Sequence, residues 1–275
     1  KMNKLDIPHF EDRNLLQKFL FENKSTLVAQ KGAILKEADG IGLSSVQFAN
    51  KKGAEKSEPI DVSSLNEIYV KAIINTTNII DSHMDLHIPG IWKKTVSENK
   101  SMLHVQEHRS REFKAIIADG QDLVAVVKKY SWKDLGFDYE GKTEALQFNS
   151  NVRKDRNEYM FSQYAGGHVK NHSVGMRYVK YVMCIDNADY GAEYEAWEKY
   201  LPQAVNPEVA ENRGYFWAVT EAKAIEGSAV PLGSNWITPT ISVGSNKEEP
   251  SKDTQKQEAV SDTSLETFYK HLKIH

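Results

Sequence analysis

One cysteine, Cys184, is present in 275 residues. That count excludes an internal disulfide framework and a multi-thiolate zinc site. No apolar run approaches the roughly 18 residues that a membrane span needs. Neither sign of charge dominates: 35 Lys and Arg stand against 38 Asp and Glu, for a formal charge of −3 and a pI near 6.3. Without a basic footprint, nucleic acid is not an expected partner. Residues 1–10 mix charge with polarity and do not form the apolar core of a signal peptide. The expectation is a soluble chain in a reducing, cytoplasm-like compartment. Hydrophobic residues make up 40% and aromatics 10%, enough for a buried core in one large domain or two small ones.

Near the start, Leu15, Leu16, Phe19 and Leu20 recur at helical spacing, with Asp12 placed to cap them. A second short helix is predicted over 25–36. Together they form a helical segment, 1–50, expected as an appendage and joined by a polar linker at 51–60 that carries Gly53 and Pro59. A main domain at 61–244 reads mostly as strands. Ile68, Val70, Ala72 and Ile74 alternate as a half-buried strand requires. Runs at 113–118 and 123–130 are split by Asp119-Gly120-Gln121-Asp122, which predicts a hairpin. Further strands are expected at 146–152, 169–185 and 216–230, with helices at 91–98, 153–164 and 193–200. Many strands with scattered helices predict a mainly β, α+β domain whose sheet is closed or nearly closed. Residues 245–262 are almost wholly polar and are expected to form a disordered tether. Beyond them, 263–275 has an amphipathic pattern with Leu265, Phe268, Tyr269 and Leu272 on one side.

Two constellations could carry chemistry. Asp81, His83, Asp85 and His87 alternate, which on a strand would place them on one face, and His104 and His108 follow. His and carboxylate ligands suit zinc or iron, so a metal-dependent hydrolase built on His83, Asp85, His87, His104 and His108 is one candidate. A solvated polar strand end explains the same pattern, and Pro89-Gly90 marks a turn just after it. No His-Glu-x-x-His helix is present. The other constellation is Asn171-His172-Ser173-Val174-Gly175-Met176. A glycine two residues after a serine lets backbone approach a bound carbonyl. A nucleophilic serine needs a base, and the base needs an orienting partner. His108, His104, His83 and His87 all qualify as the base by spacing, whereas His172 would point to the opposite face from Ser173. Cys184, in a Val-Met-Cys-Ile run, reads as a small buried apolar residue.

Four segments occur in a suggestive order. They are 81–91, an Asp followed by Pro89-Gly90-Ile91; 102–108, an apolar stretch ending in His108; 164–176, a glycine-to-serine segment ending in Ser173-Val174-Gly175-Met176; and 226–235, Glu226-Gly227-Ser228-Ala229-Val230 followed by a turn to Asn235. This order resembles the tailed-phage prohead maturation proteases, serine proteases related in fold to herpesvirus assemblin. Gly227, Met176 and Gly233-Ser234 depart from that family's pattern, and 186–213 looks like an insertion.

The resemblance implies an assemblin-like antiparallel β-barrel with surrounding helices. It makes Ser173 the nucleophile and His108 its general base. Glu226 would orient His108, with Glu221 as the alternative; an odd spacing of five points the two oppositely on a regular strand, so at most one of them serves. An oxyanion hole needs backbone N–H donors, and the Leu232-Gly233-Ser234 turn could supply one, at Gly233 or Ser234. No cofactor is implied. The implied substrates are phage scaffold and major capsid protein segments, and the chain itself, cut inside the prohead in the bacterial host cytoplasm. Assemblin-like relatives can need dimerisation, which leaves a homo-oligomer open. A non-catalytic capsid or scaffold component with the same fold is the remaining class.

Overall fold

The computed structural model describes residues 5–36, 61, 63–99 and 101–245. The expected linker at 51–60, the tether beyond 245 and the helix at 263–275 lie outside the described residues. Helix α1 (Arg13–Glu22) begins where the Asp12 carboxylate accepts the N–H groups of Asn14 and Leu15, satisfying donors that an uncapped helix start would orphan. Helix α2 (Lys24–Ala33) follows directly. Their apolar sides bury Leu16, Leu20 and Leu27 against Met183, Ile185, Tyr215 and Trp217. A two-residue strand, β1 (Leu35–Lys36), then pairs with Met176 and Arg177. Residues 5–36 are therefore built into the body of the protein; the expected appendage is a packed arm.

The remaining elements are β2 (Glu67–Thr76), β3 (Asp85–His87), α3 (Lys93–Glu98), β4 (Leu103–Gln106), β5 (Ile116–Ala118), β6 (Leu123–Ser131), β7 (Lys142–Arg153), α4 (Glu158–Ala165), β8 (Asn171–Ile185), α5 (Ala192–Tyr200), α6 (Glu208–Arg213), β9 (Tyr215–Val230) and β10 (Thr240–Gly244). They form a mixed α+β, mainly β fold with two sheets. One has the order β1-β8-β9-β4-β5, with β3 also on β9; the other runs β10-β2-β7-β6. Ile68, Val70, Ile74, Leu146 and Phe148 of the second sheet pack with Val174, Met176, Val219 and Ala224 of the first. The expected insertion at 186–213 carries α5 and α6, which bury Trp197 and Ala210 beside Leu86, Phe216 and Ala218.

The closed antiparallel barrel is not what forms. The sheet curls strongly into a half-barrel and stays open. Along the far edge of β9, β3 pairs in parallel with Trp217–Val219 and β4 in parallel with Glu226–Ala229. Register shifts along the β8–β9 pair, at Gly175/Met176 and on both sides of Lys180, supply the bending that bulges produce. The predicted hairpin at 119–122 also gives way. β5 pairs with β4 and β6 with β7, so this turn carries the chain from one sheet to the other.

Candidate active site

Register sets the site. Ser173 lies opposite Ser228 and Gly175 opposite Glu226 on the antiparallel β8–β9 pair. Cross-strand partners share a face, so these four residues sit on one side of the sheet. On the other edge of β9, β4 runs parallel to Glu226–Ala229 and ends two residues before His108. There the backbone turns sharply: Glu107 and His108 take φ values of 52° and 57°, a left-handed conformation that costs non-glycine residues of order 1–3 kcal/mol each and clusters at functional sites. The Glu107 N–H donates to the Ala229 carbonyl at 3.0 Å. The His108 N–H donates to Ser228 Oγ at 2.9 Å. Both bonds turn the histidine back over β9.

A closed ring of hydrogen bonds results. His108 Nδ1 donates to Glu226 Oε1 at 2.6 Å, Ser228 Oγ donates to Glu226 Oε2 at 2.7 Å, and Ser228 Oγ accepts the His108 N–H. The carboxylate fixes the imidazole tautomer that makes Nε2 the basic nitrogen. The His108 and Glu226 side chains are 8% and 4% exposed, so their interaction is poorly screened by water. Gly175 lies directly against this carboxylate. A Cβ there would overlap the Glu226 carboxylate, so the glycine makes room for the glutamate. At Gly227 a Cβ would press on Phe148 and Ile74; this glycine lets the two sheets approach. Ser173 is 1% exposed, and its Oγ has no hydrogen-bond partner.

The other candidates fall elsewhere. Glu221 pairs with Lys180 at 2.7 Å and Lys94 at 3.1 Å, away from His108. Gly233 packs against the His172 carbonyl so closely that a Cβ would clash with it. The Ser234 carbonyl accepts the Ser82 N–H at 3.2 Å.

The five-residue metal cluster does not assemble. His108 is with Glu226, and His104 bonds Ser150 and Tyr164. Residues 81–84 form a turn with Met84 at φ 59°, in which Asp81 Oδ1 accepts the N–H groups of His83 and Asp85; regular alternation is confined to β3. Ligand atoms of Asp81, Asp85 and His87 do lie within 4.8 Å of one another. Two ammonium groups already neutralise the two carboxylates. Lys36 Nζ bonds Asp81 and Asp85, the latter at 2.7 Å, and Lys31 Nζ bonds Asp85 at 2.6 Å. Tyr178 donates to Asp85 at 2.5 Å. Burial would raise the Asp85 pKa, but the Lys31 and Lys36 charges outweigh it and hold the carboxyl well below its ordinary range. Burial pushes His87 down to about 4.

Sequence reasoning missed Ser228 as a partner of both His108 and Glu226; the Glu-x-Ser spacing on a strand was the available signal. It also missed Lys31 and Lys36, because lysine ordinarily reads as surface. Comparison with known proteins finds no family model, curated protein or solved structure that matches the chain.

Proposed function

We propose that this chain is a serine endopeptidase of the prohead-maturation type, with Ser173, His108 and Glu226 as its catalytic residues. The supporting observation is the His108–Glu226–Ser228 ring, set on the same face as a serine whose hydroxyl has no hydrogen-bond partner. In the proposed reaction Ser173 Oγ attacks the scissile carbonyl and His108 Nε2 takes the hydroxyl proton. Glu226 stabilises the imidazolium, which then protonates the leaving amine. Water attacks the acyl-enzyme by the same route in reverse and restores Ser173. The N–H groups of Gly233 and Ser234, beside His172, are the candidate donors for the oxyanion. The substrate class, scaffold and capsid segments together with the chain itself, follows from the family resemblance in the order of the four sequence segments.

The test compares wild type with Ser173→Ala by intact mass over hours, alone and with scaffold protein, and by labelling with a fluorophosphonate. The expected result is a wild-type adduct on Ser173 and shortened products that the variant does not give. Identical masses and no adduct in both proteins, with and without scaffold, would sink the protease reading and leave the non-catalytic component.

A further inference from the structure

Ser173 Oγ has no hydrogen bond of its own, so the direction of this side chain is set by its backbone and its packing rather than by a polar partner. We propose that a buried, uncharged relay from Ser150 through His104, Tyr164 and His172 to Thr238 is the device that positions Ser173. This inference rests on the reading of Ser173 as the nucleophile.

The relay is continuous. His104 Nδ1 lies 2.8 Å from Ser150 Oγ, and His104 Nε2 lies 2.9 Å from the Tyr164 hydroxyl. The same hydroxyl is 3.0 Å from His172 Nε2, and His172 Nδ1 is 2.9 Å from the Thr238 carbonyl. One end determines all the proton positions. A carbonyl only accepts, so His172 Nδ1 carries the hydrogen and its Nε2 is an acceptor. Tyr164 must donate to that nitrogen, and its oxygen then accepts from His104 Nε2–H. His104 Nδ1 is left to accept the Ser150 hydroxyl hydrogen. Every member is neutral and every ring nitrogen is used. Burial favours the uncharged forms, pushing His172 down to about 4 and His104 well below its ordinary value.

The relay converges on the residue before the nucleophile from both sides. The Thr238 hydroxyl accepts the His172 N–H at 3.1 Å and donates to the His172 carbonyl at 2.7 Å. Ring and main chain of His172 are therefore both held, with the Tyr164 ring nearly parallel to the imidazole at a 13° interplanar angle. Successive strand residues point to opposite faces, so holding His172 on the core side fixes the direction in which Ser173 leaves the backbone. Filling these buried positions with apolar side chains of similar shape would cost little stability. A satisfied polar network instead imposes one geometry, and a 1 Å displacement near reacting atoms can cost about a hundredfold in rate.

The experiment measures fluorophosphonate inactivation at several reagent concentrations for wild type, Tyr164→Phe, Thr238→Val and Thr238→Ser, with near-UV circular dichroism to confirm folding. Expected are limiting inactivation rates about tenfold lower for Tyr164→Phe and Thr238→Val, with the half-saturating concentration within about twofold of wild type. Thr238→Ser, which keeps the hydroxyl, recovers to within about twofold. Thr238→Val carries the test if Tyr164→Phe does not fold. Wild-type rates in the folded Tyr164→Phe and Thr238→Val variants would overturn the positioning role and leave the nucleophile standing. No reaction of the wild type would overturn the protease reading and this inference together.

Discussion

Two regions of this protein bury carboxylates, and they do so to opposite ends. Around β3, Asp81 and Asp85 are matched by Lys31 and Lys36, two aspartates for two lysines, with all four side chains almost fully enclosed. Beside β9, Glu226 is matched by a serine hydroxyl and an imidazole. The first set ties both carboxylates to lysines from the N-terminal segment, so it acts as a fastener between the N-terminal arm and the strands. The second contains a partner that can gain a proton, and the carboxylate is placed to stabilise it when it does. Burial of an acidic group alone does not distinguish a structural clasp from a candidate catalytic carboxylate; the nature of its partner does.

Glu226→Gln breaks the second region most severely. Its side chain no longer favours the protonated imidazole and can stabilise the wrong tautomer, so turnover is expected to fall about 10⁴-fold. Thermal denaturation should register a far smaller change, and the pair of measurements separates chemistry from folding. Lys36→Met is the corresponding break in the first region. Removing one cation leaves buried carboxylate charge uncompensated, for a loss of about 3–5 kcal/mol in urea unfolding. Adding Asp81→Asn to it should recover part of that loss, whereas additive effects would refute coupling between the pair.

Acid acts on the buried histidines near both regions. In the unfolded chain the imidazoles of His87 and His172 take up protons below about 6.5, whereas the folded protein keeps them neutral down to about 4. The unfolded state then binds more protons across that window, so stability falls as pH drops from about 6.5 to 4. Asp85, held below its ordinary range, gives way only at lower pH. Urea midpoints measured between pH 7 and 4 should decline steadily, and a flat profile would contradict the neutral histidines. Ser228→Ala is the mildest change. It removes the hydroxyl that joins Glu226 to the His108 backbone and should slow turnover about tenfold, the scale of one lost hydrogen bond to a charged group.

Much of this was legible in local pattern. Alternation at Ile68 to Ile74, the β-rich run at 123–130 and the long runs at 169–185 and 216–230 all correspond to strands, the first read from its period of two and the others from their β-branched and aromatic content. Ser173, His108 and Glu226 were named from the order of short segments; in the structure His108 bonds Glu226, and Ser173 lies opposite Ser228 two residues further along β9. What could not be read is pairing. The turn at 119–122 has hairpin chemistry, yet β5 and β6 leave it for different sheets, since local residues do not specify which distant strand each will join. The parallel alignment of β4 with β9 joins residues more than 120 positions apart for the same reason. Lys31 and Lys36 were hidden because nothing in 24–36 says that its lysines will meet Asp81 and Asp85.

The close approach of Glu226 to Gly175 has a consequence for how this sequence can change through time. Positions 175 and 226 behave as a single character written in two places. While the glutamate is kept, any side chain at 175 competes with it for the same volume; once the glutamate is shortened, position 175 is released. Drift at the glycine is therefore closed to lineages that keep the glutamate and open to those that have shortened it, so an alanine or serine at 175 in a related chain should travel with a smaller side chain at 226.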